Sequence, residues 1–216
     1  MNSNINTIIS KIMSFLFILI ILTTPIAIIG YDVILLKNNI PENSLTEYSQ
    51  TFLLLGTTAA FTYLGYTKKL YDRTAFLIAS FFICLLIREL DLFFDQLIFH
   101  GFWVYPALSI AISAIIYANQ QREKTITALV EVMTNSYFPI LCLGLGITLV
   151  YSRLIGMGAM WHQILGDDFQ RIVKNIAEES SELLGYTIIF YASVNYVLFY
   201  IKQHTISPKN QPSTFN

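Results

Sequence analysis

Long apolar runs separated by short polar connections are the feature that most constrains how this chain can fold. The run from Ile12 to Ile29 contains no charged residue, and a helix needs roughly 20 mostly apolar residues to cross the hydrocarbon of a bilayer. Charged residues make up 12% of the chain, against about 25% in an average soluble domain. The sequence therefore predicts an all-α fold, a polytopic transmembrane helical bundle.

The apolar runs predict about six spans and one shorter helix. The expected spans cover residues 12–29, 49–66, 74–99, 104–119, 125–151 and 182–201. The longest connection, 152–181, includes one apolar helical face, a pattern typical of a short helix lying on a membrane surface. That face consists of Met157, Met160, Trp161, Ile164 and Leu165. Residues 1–203 are expected to form one transmembrane domain, followed by a polar, disordered tail at 204–216.

Basic residues predict the orientation of the bundle. Lys and Arg concentrate in short cytoplasmic loops, and with six spans the basic clusters all fall on one side. They contain Lys11, Lys68, Lys69, Arg73, Arg122, Lys124, Lys202 and Lys209. Both termini are therefore expected in the cytoplasm, with the bundle in a bacterial inner membrane. The first run is expected to remain as an anchor, because residues 27–30 make a poor cleavage site, although a cleaved signal is the alternative.

Composition also bears on partners. The formal net charge is -1, which gives no reason to expect a nucleic acid partner. The lipid bilayer is the expected partner, and an oligomer or membrane complex is compatible with the helix surfaces. In the fourth run, a stripe of small residues favours close helix packing. The stripe consists of Ala107, Ala111, Ala114 and Ala118.

The end of the third run carries an unusual density of polar side chains. Arg88, Asp91 and Asp95 share one helical face at spacings i, i+3 and i+7, with Glu89 and His100 nearby. Charged residues in or near a bilayer are costly, and they generally have a partner or a functional role. With six spans this segment lies at the external side of the membrane.

A second polar set is expected on the same side, at the start of the sixth run. Glu178, Glu182 and Tyr186 align at i, i+4 and i+8. Because charged groups in hydrocarbon gain from a shared polar site, the third and sixth helices are predicted to meet at their external ends. The two sets would then form one acidic site that also contains histidine.

The residue types in this predicted site suggest roles. Mixed Asp, Glu and His ligands suit a divalent metal such as zinc, manganese or iron, although the spacing matches no named motif. The catalytic candidates are Asp91, Asp95, His100 and Glu182. The metal candidates are Asp95, His100, Glu178 and Glu182. Arg88 and Tyr186 are the candidates for binding substrate.

Three functions fit these residues. The first is a metal-dependent hydrolase or transferase acting on a lipid or a lipid-linked substrate, with the divalent metal as its cofactor. The second is a non-catalytic assembly or scaffold subunit, in which the charges lock helices together. The third is a transporter coupled to protons or cations. In the predicted site the carboxylates outnumber Arg88, which favours a metal- or proton-handling site over a simple lock.

Overall fold

The fold is known from a computed structural model that describes residues 2–37, 44–67 and 72–206. Every regular element in that part of the chain is helical, which confirms the predicted all-α class. The helices are α1 (Asn2–Gly30), α2 (Leu45–Thr67), α3 (Asp72–Glu89), α4 (Asp91–Leu97), α5 (Val104–Asn119), α6 (Arg122–Thr134), α7 (Phe138–Gly146), α8 (Ser152–Ile155), α9 (Gly158–Leu165) and α10 (Arg171–Ile206). Lys68, Lys69, Lys209 and nearly all of the predicted tail lie outside the described residues.

Three described helical stretches, not six, are long and apolar enough to cross a membrane. They are Asn4–Leu35, Phe138–Ile155 and Arg171–Gln203. The fourth predicted span, α5, is apolar but has only 16 residues, about 24 Å of helix against a hydrocarbon core of about 30 Å. The third predicted span fails for another reason, because α3 has only 18 residues and begins and ends in charged side chains.

Two predicted spans are interrupted. The span expected at 74–99 ends at Glu89, and α4 begins separately after Leu90, whose backbone leaves the helical region (φ -96°, ψ 19°). The span expected at 125–151 breaks at Asn135, where the backbone is extended. The Asn135 side chain accepts a hydrogen bond from the Tyr137 N–H at 2.9 Å, and Pro139 has no N–H with which to continue a helix through this point.

The connection predicted at 152–181 is mostly helical. A π-helical segment, Ile147–Tyr151, joins α7 directly to α8, so residues 138–155 form one helical stretch. After the short helix α9, the chain enters α10 at Arg171 and remains helical for 36 residues. The last apolar stretch therefore belongs to a longer helix, and the predicted start at 182 is wrong.

The chain divides into two compact units, one formed by residues 1–50 and 144–187, the other by residues 51–143 and 188–216. In the second unit α3 and α5 run antiparallel. Arg73, near the start of α3, donates to the Tyr117 carbonyl near the end of α5 at 2.5 Å, and Cys84 donates to the Ala107 carbonyl at 3.3 Å. Ala107 and Ala118 are buried, which confirms the alanine stripe as a packing face.

The first unit contains a helix start that is fully satisfied by side chains. Asp32 is 0% exposed, and its carboxylate accepts from the N–H groups of Leu45 and Thr46 at 3.1 and 2.8 Å. Ser44 accepts from the next free donor, the Glu47 N–H, at 3.3 Å. A carboxylate at a helix N-terminus satisfies free donors and complements the helix dipole. Asp32 thereby ties the end of the first apolar stretch to the start of α2.

Candidate functional site

The most extensive group of charged side chains lies in the first unit, where Arg153 of α8 meets two carboxylates of α10. Arg153 Nη1 lies 2.9 Å from Glu178 Oε1, and Nη2 forms an ion pair with Glu182. Glu178 and Glu182 are one helical turn apart, so a single guanidinium spans both. Lys174 adds a second base, 2.8 Å from Glu178. We call Arg153, Lys174, Glu178, Glu179 and Glu182 the ion cluster.

Glu182 is the most buried member of the ion cluster, at 3% exposure. Besides Arg153 it has a neutral partner, since the Ser152 hydroxyl lies 3.3 Å from Glu182 Oε1 and 2.6 Å from the Thr148 carbonyl. A buried carboxylate is tolerated when its lone pairs are matched by donors. The arrangement around Glu182 therefore accounts for a charged side chain inside an apolar helical region.

Close approach of the two helical stretches depends on two glycines. A Cβ placed on Gly156 would lie 2.6 Å from the Glu178 side chain, and a Cβ on Gly185 would collide with the Thr148 hydroxyl. The π-helical segment just before Ser152 contributes as well. Its i to i+5 bonding inserts an extra residue relative to an α-helix, which changes the face that the following residues present. Together these features place Arg153 against α10.

Glu179 differs from its neighbours because its partner is neutral. The Gln50 amide donates to Glu179 Oε2 at 3.0 Å and lies 3.4 Å from the Glu179 carbonyl oxygen. Gln50 is 1% exposed, and its Oε1 has no hydrogen-bond partner among the described residues. The ion cluster thus combines two bases with three carboxylates. Glu179 is the carboxylate that takes no part in the ion pairs formed by Arg153 and Lys174.

The polar segment at the end of α3 is organised locally. Arg88 forms its ion pair with the adjacent Glu89, at 3.5 Å. Asp91 is exposed and accepts from the N–H of the next residue, Leu92, at 2.7 Å. Both contacts join residues that are adjacent in the sequence, so the ion pair of Arg88 does not link α3 to a distant element.

Asp95 and His100 close the turn between α4 and α5. Asp95 Oδ2 lies 2.5 Å from His100 Nδ1, and Oδ1 accepts from the Gly101 N–H at 2.8 Å. The Gly101 N–H lowers the pKa of the Asp95 carboxyl from its ordinary value of 3.8; desolvation opposes this effect, and the His100 ring supports it. The His100 side chain is 97% exposed. The pair fastens a surface turn.

The residues predicted to share one site belong to different units. Arg88, Asp91, Asp95 and His100 lie in the second unit, whereas Glu178, Glu182 and Tyr186 lie in the first. Among the described residues, no three His, Cys, Asp or Glu side chains are grouped so as to hold a metal ion. The metal role predicted for Asp95, His100, Glu178 and Glu182 therefore has no support. The catalytic and substrate-binding roles stay predictions.

Arg153 is the residue that sequence reasoning missed. The predicted excess of carboxylates compares them with a single base, Arg88, because residues 152–181 are predicted to be a connection. In the structure Arg153 and Lys174 supply the opposing charges for Glu178 and Glu182. The sequence contains a partial signal, since Lys174 and Glu178 stand at i and i+4 on an amphipathic stretch. Nothing in the local sequence predicts the partner of Arg153, 25 to 29 residues away.

No protein family, curated protein or solved structure matches this chain. Its function must therefore be argued from its own geometry.

Proposed function

We propose that this protein is a non-catalytic integral membrane subunit that serves in assembly or as a scaffold, with the ion pairs of Arg153 with Glu178 and Glu182 locking its helices together. The observation that carries the proposal is the double ion pair of Arg153 with Glu178 and Glu182. A lock between these helices needs the acids of α10 to face a base, and Glu178 and Glu182 both do. Because each of these two carboxylates faces a base, Glu178 and Glu182 do not carry the uncompensated negative charge that favoured a metal- or proton-handling site there.

The energetic logic of a lock is asymmetric. A buried ion pair contributes little compared with apolar packing, but removing one partner leaves an uncompensated charge and is strongly destabilising. Glu182 is in that position, because its side chain is only 4% exposed while that of Arg153 is 42% exposed. Loss of the base should therefore be worse than loss of both charges together.

A double-mutant cycle tests the lock. We expect Arg153→Gln to lower the free energy of unfolding, in lipid nanodiscs, by about 2–3 kcal/mol, because Glu182 then stays buried without its charge partner. Combining it with Glu182→Gln should restore at least about 1 kcal/mol, since neighbouring ion partners couple by about 0.5–3 kcal/mol. Additive losses across the cycle would refute the lock. In all variants, the amount of membrane complex that contains this protein in cells should rise and fall with its free energy of unfolding.

Glu179 favours a second candidate function, a transporter coupled to protons or cations. Its carboxylate is the one that the ion pairs leave over, and charged groups of this kind mark proton and ion pathways in membrane proteins. Glu179→Gln is therefore the matched control of the cycle. Under the scaffold proposal this variant retains stability and cellular function. Normal stability with abolished cellular function would instead favour coupling, to be checked by proton or sodium flux into liposomes.

The orientation in the membrane is a further part of the proposal. The described basic residues support a cytoplasmic position for both termini, in the sense of the positive-inside rule. This orientation needs an even number of crossings. At least one helix shorter or more polar than the three candidate spans would then also cross.

A further inference from the structure

None of the seven residues of the helix α4 is buried. Phe93 is 58% exposed and Leu97 is 64% exposed, and in the following turn Phe99 is 50% exposed. Large apolar side chains in such a concentration mark a surface that is covered in the working protein. The surface is independent of the ion cluster, which belongs to the other unit.

The exposed residues of α4 have an amphipathic arrangement. At 100° per residue, Phe93, Phe94 and Leu97 lie on one side of the helix, and the opposite side carries the three polar residues Asp91, Asp95 and Gln96 together with one apolar residue, Leu92. A helix with a polar and an apolar side suits the boundary between water and acyl chains. Its two carboxylates and lack of a basic residue suit zwitterionic rather than anionic headgroups.

Aromatic contacts join α4 to the exposed flank of α5. Phe94 contacts Phe102 with ring centroids 6.1 Å apart, and Phe102 contacts Tyr105 at 5.9 Å. Phe99 lies against both of the latter rings, at 5.5 and 6.1 Å. From Tyr105 an exposed stripe continues along α5 at helical spacing, on a different face from the alanines. It consists of Tyr105, Leu108, Ile112 and Ile115.

The stripe on α5 indicates what covers α4. An aliphatic stripe on the outer face of an apolar helix, in a chain with three candidate spans, faces lipid. Aromatic side chains concentrate where such a face reaches the headgroups. The ring cluster at the start of α5 has this composition, and it is continuous with the stripe. The Asp95 contacts with His100 and Gly101 hold α4 beside that end of α5.

We infer that α4 and the turn after it form an interfacial anchor, with Phe93, Leu97 and Phe99 inserted among zwitterionic lipids at the headgroup boundary. The polar side of α4 faces water. The anchor takes the place of the end of the third span that the sequence predicts, and it lies along the membrane surface.

Spin-label accessibility in nanodiscs of a zwitterionic phospholipid tests the anchor. The background carries Cys84→Ser, which retains a donor for the Ala107 carbonyl, and Cys142→Ser. Labels at Phe93→Cys and Leu97→Cys should collide with oxygen, which concentrates among acyl chains, several-fold more than with a water-soluble nickel complex. The matched control, Gln96→Cys, should show the reverse preference, because it lies on the polar side.

Each alternative outcome contradicts the anchor in a recognisable way. Preference for the nickel complex at positions 93 and 97 would place the apolar side of α4 in water. Shielding from both reagents at these positions would show a protein cover, such as a second copy of the chain. Equal behaviour at positions 96 and 97 would refute the amphipathic orientation. The labelled variants should melt like the cysteine-free background, which separates each of these results from unfolding.

Discussion

At the residue scale, the structure shows which charged side chains find their partners locally and which find them across the fold. Arg88 pairs with the adjacent Glu89, and Asp95 closes a six-residue turn through His100 and Gly101. Arg153 instead contacts carboxylates 25 and 29 residues away. Arg88 and Asp95 therefore have partners within 87–103, whereas sparser charges elsewhere form the ion cluster between helices.

The contacts of Asp95 predict its titration. Because the Gly101 N–H favours the ionised form, we expect a pKa below 3.8 for this carboxyl, measured by NMR with carbon-labelled aspartate. Because the pKa of Asp95 is lower in the folded than in the unfolded state, its ionised carboxyl stabilises the turn at pH values above the unfolded-state pKa. The contribution declines as pH falls through the folded pKa.

His100→Ala is the informative comparison for this titration. The pKa of Asp95 should stay below its ordinary value in this variant, since the Gly101 N–H has the larger effect. A complete return to 3.8 would show instead that the imidazole dominates.

At the element scale, the approach of α7 and the π-helical segment to α10 depends on Gly185. An added Cβ would meet the Thr148 hydroxyl and lie 3.0 Å from both the Gly144 carbonyl oxygen and the Thr148 nitrogen. Backbone atoms cannot rotate out of the way as a side chain can. This contact therefore fixes how close the helix bearing Arg153 comes to the helix bearing Glu182.

Gly185→Ala should lower the free energy of unfolding by about 1–3 kcal/mol, the usual cost of overpacking a tight contact. Thermal melting in nanodiscs would measure it. The control is Gly146→Ala, whose Cβ meets no atom within 4 Å; it should leave stability unchanged or raise it by up to about 1 kcal/mol through helix propensity. Equal effects of the two substitutions would mean that the close approach at Gly185 does not limit packing.

At the scale of the whole molecule, the position of the termini depends on how many helices cross. The three candidate spans alone would place the termini on opposite sides of the membrane, whereas the distribution of Lys and Arg favours the same side. The short helix α5 and the more polar α2 and α3 decide between these arrangements, because each falls short of the criteria for a span by length or composition.

Reporter fusions at the two ends measure this directly. We expect a reporter at the C-terminus and one at the N-terminus both to behave as cytoplasmic. Cytoplasmic activity at one end and external activity at the other would show an odd number of crossings, as the three candidate spans alone require. A third fusion inserted in the turn after α4 should be external, on the side opposite to the basic first turn of α6, which contains Arg122 and Lys124.

Features that depend on neighbours in the chain can be predicted from the sequence alone. Apolar run length and helical spacing predict the all-α class, the packing face of α5 with buried Ala107 and Ala118, and the short helix α9. These follow from a period of 3.6 residues and from composition, both of which are local.

Which charges compensate one another, and where the long apolar runs stop, depends on contacts between residues far apart in the sequence. The helix breaks at Leu90 and Asn135 lie inside runs that hydropathy alone reads as continuous. Asp32 reaches the start of α2 from 13 and 14 residues away, and Arg153 reaches α10 only because Gly156 and Gly185 allow close contact. Ion pairing acts through space at a few ångströms, and a linear sequence does not specify which distant residues come that close.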